Sequence, residues 1–75
     1  MHCDQELDAL ALVCPLPLLY AKRKLKTMAV GEVLKVITRD PSSVIDFRTY
    51  TSVSGHVLLS YEEKDSVFVF YVQKS

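Results

Sequence analysis

The run "SVFVFYVQK", residues 66–74, constrains the fold most strongly, because it is apolar on both of its alternating sets. In an extended strand Val67, Val69 and Tyr71 fall on one side and Phe68, Phe70 and Val72 on the other. A strand of this kind is unstable at a sheet edge, so it predicts a central position with a strand on each flank. The preceding run, "HVLLSYEE" at residues 56–63, has the composition of one such neighbour, joined through Lys64-Asp65 as an antiparallel hairpin.

The other flank must come from earlier in the chain. "EVLKVIT", residues 32–38, is rich in β-branched residues and suits a strand, and "QELDAL", residues 5–10, reads as a short first strand. Between them the periodicity changes. From residue 15, Leu18, Ala21, Leu25 and Met28 recur at spacings of three and four, which predicts an amphipathic helix stopped by Gly31. Asp40-Pro41 supplies a capping residue and a proline at the first helical position, and Val44, Phe47, Arg48 and Thr51 continue a second helix over residues 41–53, closed by Gly55. The order β-α-β-α-β-β implies a right-handed parallel crossover followed by an antiparallel hairpin. The expected fold class is α+β: a two-layer sandwich with a mixed four-stranded sheet and two helices on one face. The uncovered face is expected to be sticky. Seventy-five residues with 49% hydrophobic content allow one such domain, spanning residues 1–75.

Nine acidic and nine basic side chains cancel, so no global field draws the chain to nucleic acid or to a membrane surface. No apolar run approaches the roughly 20 residues that span a bilayer. The start "MHCDQELD" lacks the basic, apolar and small-residue order of a signal peptide, which gives a cytoplasmic expectation. Cys3 and Cys14 are too few for a disulfide framework and should be free thiols in a reducing compartment. His2 beside Cys3 does not make a metal site, and neither a metal nor a cofactor is expected.

Cys14 is followed by Pro15, Leu16 and Pro17. With a helix starting at Pro15, Cys14 is its N-cap and faces the positive end of the dipole, which favours thiolate. Both prolines lack an N–H, so the anion is met mainly by the N–H groups of Leu16 and Leu18. Activation should be modest, which suits a nucleophile tuned near ambient pH. No base lies nearby in sequence and no second cysteine sits at CxxC spacing, a pattern suited to accepting a group and handing it on. A small buried residue at a helix start is the other reading of Cys14. Lys22, Arg23 and Lys26 share one arc of the helix, either as a docking face for an acidic partner or as a solvated surface. No aromatic residue interleaves them, so direct nucleic-acid binding is not expected. Cys3 reads as a terminal thiol and His56 as a surface or hydrogen-bonded structural histidine.

Taken together, Leu7-Asp8, "LVCPLP" at residues 12–17, Gly31-Glu32, Asp40-Pro41 and "SGHVLLSYEEKDSVFVFYVQK" at the end resemble the TusA/SirA-like sulfur carrier family over about residues 6–74. The resemblance implies a fold like the C-terminal domain of translation initiation factor three. It also implies that Cys14 carries a persulfide received from a cysteine desulfurase or a rhodanese-like donor protein. The sulfur then passes to an acceptor protein in tRNA thiolation, molybdenum cofactor or sulfur oxidation routes, while Pro15 and Pro17 shape the sulfur-bearing loop. A monomer or weak dimer is expected. Two positions depart from the family pattern: Ala11 stands where glycine is usual, and Arg39 where an acid often precedes Asp-Pro. A glycine needed for positive φ would leave alanine strained. A non-catalytic regulatory or protein-interaction module with the same fold is the competing expectation.

Overall fold

The computed structural model describes residues 2–13 and 15–75. Among these, the elements run β1 (Gln5–Ala9), α1 (Leu16–Thr27), β2 (Val33–Thr38), α2 (Ser43–Ser54), β3 (Val57–Lys64) and β4 (Val67–Gln73). The strands form one mixed sheet in the order β1-β2-β4-β3. β1 runs parallel to β2, from Gln5 opposite Leu34 to Ala9 opposite Thr38, so α1 is a crossover. β4 is antiparallel to both of its neighbours and lies inside the sheet, as its two apolar sets require.

Phe68, Phe70 and Val72 face the helices. Phe47 of α2 stacks on Phe70 with ring centroids 4.7 Å apart and planes inclined by 18°, and Tyr61 stacks on the same ring from β3 at 5.7 Å. Aromatic pairs of this kind contribute about 0.5–1.5 kcal/mol beyond their buried area. Ala21, Leu25 and Met28 of the first helical stripe, with Ala9, Leu34 and Val36, complete the core. The opposite sheet face carries Val67 and Val69 of β4, both half-buried, with Ile37 of β2 paired to Val69. Tyr71 is only 9% exposed, and its cross-strand neighbours are Lys35 and Ser60. Lys35, itself half-buried, can lay its aliphatic stem on such a surface while its charge stays in water.

Both helices begin later than the prolines predict. Pro15 occupies the N-cap position and α1 starts at Leu16, so Pro17 is the proline of its first turn. Before α2, the Asp40 carboxylate accepts from the Ser42 N–H at 3.0 Å and from the Ser42 hydroxyl at 2.8 Å. The Asp40 carbonyl accepts from Ser43 N–H at 3.1 Å, which closes a turn through Pro41 before the helix starts at Ser43. Gly55 does close α2, at φ 86°, with its N–H donating to the Thr51 carbonyl. Gly31 does not stop α1, which ends at Thr27 and is capped by Met28. Gly31 instead turns the chain into β2 at φ 92°, its N–H donating to the Lys74 carbonyl at 2.7 Å. The hairpin turn is Asp65-Ser66, one residue later than expected, with φ of 53° and 64°. Positive φ at both central residues gives the turn the twist of the strands it joins.

Candidate functional site

Cys14, the expected nucleophile, lies outside the described residues, so the site is built from what flanks it. After β1 the Asp8 carboxylate accepts from Leu10 N–H at 3.1 Å, and Leu12 N–H donates to the Ala9 carbonyl at 3.1 Å. This turn ends the strand, and Leu12 packs back on the core. The chain then leaves the protein surface, and Val13 is 70% exposed. Pro15 is also exposed, Leu16 is half-buried, and Pro17 is fully buried beneath the start of α1. The motif is thus anchored by its second proline, while the residues on both sides of position 14 face water.

The N-terminus of α1 carries no acidic residue in its first turn and, among the described residues, no side-chain cap. Its positive dipole end is left for an anion. Of the two N–H groups expected to meet that anion, the one of Leu16 donates to the Val13 carbonyl at 2.8 Å.

Two crevices of about 410 Å³ each open beside this loop. One lies between residues 10–13 and Arg39, Asp40 and Pro41; the other is lined by Leu7, Asp8, Ala11, Leu12 and Tyr20. Ala11 borders both and has a negative φ, since only Asp65 and Ser66 among the described non-glycine residues have positive φ. Alanine in place of the family glycine therefore strains nothing here. Asp40 brings a feature that sequence reasoning missed: its Oδ2 is buried without a hydrogen-bond partner among the described residues, while Oδ1 serves Ser42. Nothing in the local pattern marks which carboxylate oxygen turns inward.

The three expected docking cations sit in different surroundings. Lys22 Nζ sits 5.1 Å from the centre of the Tyr50 ring of α2, and the Arg23 guanidinium lies 5.6 Å from that of Tyr20. Both rings are recruited from outside the basic run, which is why the sequence shows no aromatic among the cations. Lys26 is in the last turn, roughly 15 Å along the axis from Leu16, and there it suits the negative end of the dipole. Leu19 and Tyr20 are 40% and 39% exposed, and Tyr20 lines one crevice with Ala11 and Leu12.

Elsewhere, Cys3 is a half-buried free thiol beside Asp4. Asp4 is tied to the start of β2: its N–H donates to the Val33 carbonyl at 2.8 Å and its carboxylate accepts from Val33 N–H at 2.9 Å. This backbone hydrogen bond, with a further one to His2, holds the Asp4 carboxyl below the usual range. Among the described residues no three His, Cys, Asp or Glu side chains lie close enough to hold a metal ion, and no helix is long and apolar enough to cross a membrane.

Comparison with known proteins agrees with this geometry. The family model described as Sulfurtransferase TusA matches residues 5–74. The chain is 47% identical over 72 residues to the Sulfur carrier protein TusA of Allochromatium vinosum, covering 96% of this chain and 95% of that one. It is 44% identical to a putative sulfur carrier protein of Neisseria meningitidis, over 93% of this chain and 95% of that protein. The crystal structure of a SirA-like protein from Desulfitobacterium hafniense superposes with a TM-score of 0.80 at 28% identity, covering 92% of this chain and 95% of the other. Matched by the family model over residues 5–74 and by curated relatives over nearly the whole length, the chain is a member of the TusA sulfurtransferase family.

Proposed function

We propose that this protein is a sulfur carrier that holds sulfur as a persulfide on Cys14. The observation that carries this reading is the Cys-Pro-Leu-Pro run at an uncapped helix N-terminus, flanked by the exposed Val13 and Pro15, in a chain whose relatives are named sulfur carrier proteins. The Cys14 thiolate attacks the outer sulfur of a donor persulfide. The donor's S–S bond breaks, its thiolate leaves, and a new S–S bond forms on Cys14. An acceptor thiolate repeats the exchange and Cys14 leaves as thiolate, so the relay needs no oxidant and no cofactor. Leu18 N–H and the dipole of α1 hold the anion between the two steps, and Pro17 fixes the direction of the loop.

The donor is a cysteine desulfurase or a rhodanese-like protein and the acceptor is another protein, serving tRNA thiolation, molybdenum cofactor assembly or sulfur oxidation. The reducing cytoplasm, which keeps thiols free, suits this chemistry. Exposed Val13, Leu19 and Tyr20, and the cations Lys22, Arg23 and Lys26 of α1, offer apolar and positively charged surface to such partners. The competing idea of a non-catalytic interaction module drew on Ala11, whose φ is not positive.

Intact-mass measurement after incubation with a cysteine desulfurase and cysteine tests the reading, run beside Cys14→Ser and Cys3→Ser. Gain of one sulfur atom in the parent and in Cys3→Ser, with none in Cys14→Ser, is expected. Loading that survives Cys14→Ser would overturn it.

A further inference from the structure

A third crevice, of about 430 Å³, lies between the C-terminal half of α2 and the start of β3. It lies toward the other end of α2 from the Asp40-Pro41 turn, and none of its residues is used by the sulfur relay. Arg48 and Ser52, one helical turn apart and therefore on one face, line it together with His56 and Tyr61. No Asp or Glu is among its lining residues.

Its polar groups are unspent. Among the described residues, no hydrogen bond or ion pair engages the side chain of Arg48, Ser52 or Tyr61, although the Tyr61 ring is braced against Phe70. Thr51 also borders the crevice, but its hydroxyl donates to the Phe47 carbonyl at 2.9 Å. His56 is the informative member. Its Nδ1 accepts from the Ser75 N–H at 3.1 Å, so the neutral ring must carry its proton on Nε2 and use that atom as a donor. The Ser75 hydroxyl donates to the Gly55 carbonyl at 2.6 Å, and Tyr50 packs tilted on the imidazole at 5.7 Å, which together hold the ring in place.

A guanidinium, an imidazole N–H and the Ser52 and Tyr61 hydroxyls around one hollow, with no Asp or Glu among its lining residues, form a receptor for a compact anion. Guanidinium donors match the paired oxygens of a tetrahedral oxyanion. We propose that this crevice binds an oxyanion of the phosphate class, either free or as the phosphoryl end of a small phosphate monoester. The site goes beyond the sulfur relay: it shares no lining residue with the two crevices beside residues 10–13.

The test is a titration of the ¹⁵N-labelled full chain with inorganic phosphate, and separately with AMP, at constant ionic strength, followed by amide shifts. Saturable shifts centred on Arg48, Ser52, His56 and Tyr61 are expected, with a dissociation constant of about 1 mM. Arg48→Gln should weaken binding about ten-fold or more, as expected for the loss of a charge-assisted contact. Lys64→Gln, which removes an equal charge from the far end of β3, should change nothing. Arg48 is exposed, so its replacement should keep the fold, and the spectrum of the variant shows this directly. AMP binding tighter than phosphate assigns the site to monoesters, and equal or weaker AMP binding assigns it to the free anion. Shifts that never saturate with either probe, that centre elsewhere, or that persist unchanged in Arg48→Gln overturn the proposal. Sulfur loading on Cys14 is read separately by mass, so failure of either idea leaves the other standing.

Discussion

The two helix entries, Cys14-Pro15 and Asp40-Pro41, read alike in sequence yet are built differently. At Asp40-Pro41 the chain satisfies itself, because the Asp40 carboxylate takes both the N–H and the hydroxyl of Ser42 and closes a turn before α2. Among the described residues neither helix has a side-chain hydrogen bond at its N-cap, but at Cys14-Pro15 no carboxylate closes a turn either, a backbone carbonyl takes the Leu16 N–H, and prolines remove two further donors. The first entry is stabilised by the second proline of its motif, buried beneath the helix; the second is stabilised by a carboxylate. The difference teaches that one device can finish a helix or hold one open for chemistry, according to whether its donors are already used.

The sharpest way to break this comparison is to exchange the residue before each proline. Cys14→Ser is expected to abolish sulfur loading while changing stability by no more than about 0.5 kcal/mol, measured by urea unfolding. A large loss of stability would mean that the first entry is as structural as the second. The two prolines come next. Pro17→Ala removes buried ring carbons and should cost about 2 kcal/mol, whereas Pro41→Ala, at an exposed position, should cost less than about 1 kcal/mol. Pro17→Ala also restores an N–H at the start of α1, so alkylation of Cys14 near neutral pH should quicken by about two- to five-fold.

Smaller effects sharpen the other side. Asp40→Ala should cost about 1 kcal/mol through loss of the turn. Asp40→Asn should stay within about 0.5 kcal/mol, because an amide oxygen still serves Ser42 and the amide NH₂ replaces the unpartnered Oδ2. The smallest effect belongs to a carboxylate that, like Asp40, serves the backbone. Asp4 has a lowered pKa in the folded state because Val33 N–H, and then His2, favour its charged form. Its contribution is therefore present above the ordinary carboxylate range and is lost as pH falls through the lowered value. Acid titration of stability should show a shallow slope in that window, and Asp4→Asn should flatten it.

Much of this fold was legible because the informative residues are buried ones. The two apolar sets of β4 demanded neighbours on both sides, and the stripe through Ala21, Leu25 and Met28 allowed only a helix on the sheet. Helix boundaries were less legible, since proline restricts φ equally in a turn and in a first helical turn. Only the tertiary setting decides that Pro41 belongs to the turn and Pro17 to the helix. The register shift in β3 between Leu58 and Ser60 carries no glycine or proline to announce it. The candidate site was legible as a motif and illegible as a surface. The pairing of Lys22 with Tyr50 joins different helices, and the Arg48, His56 and Tyr61 crevice is assembled from a helix, a loop and a strand.

The strand order also has a temporal side. β4 leaves the ribosome after the other five elements described, yet it fills the slot between β2 and β3. Until residues 67–73 have emerged, β2 presents an unpaired edge and Phe47 lacks the ring on which it stacks. Pairing of Val33 with Gln73 then closes a long loop, a step that is slow relative to local helix formation. Nascent chains stalled before Phe70 should therefore be sensitive to proteases and prone to pair with one another, and cooperative structure should arrive only with the final strand.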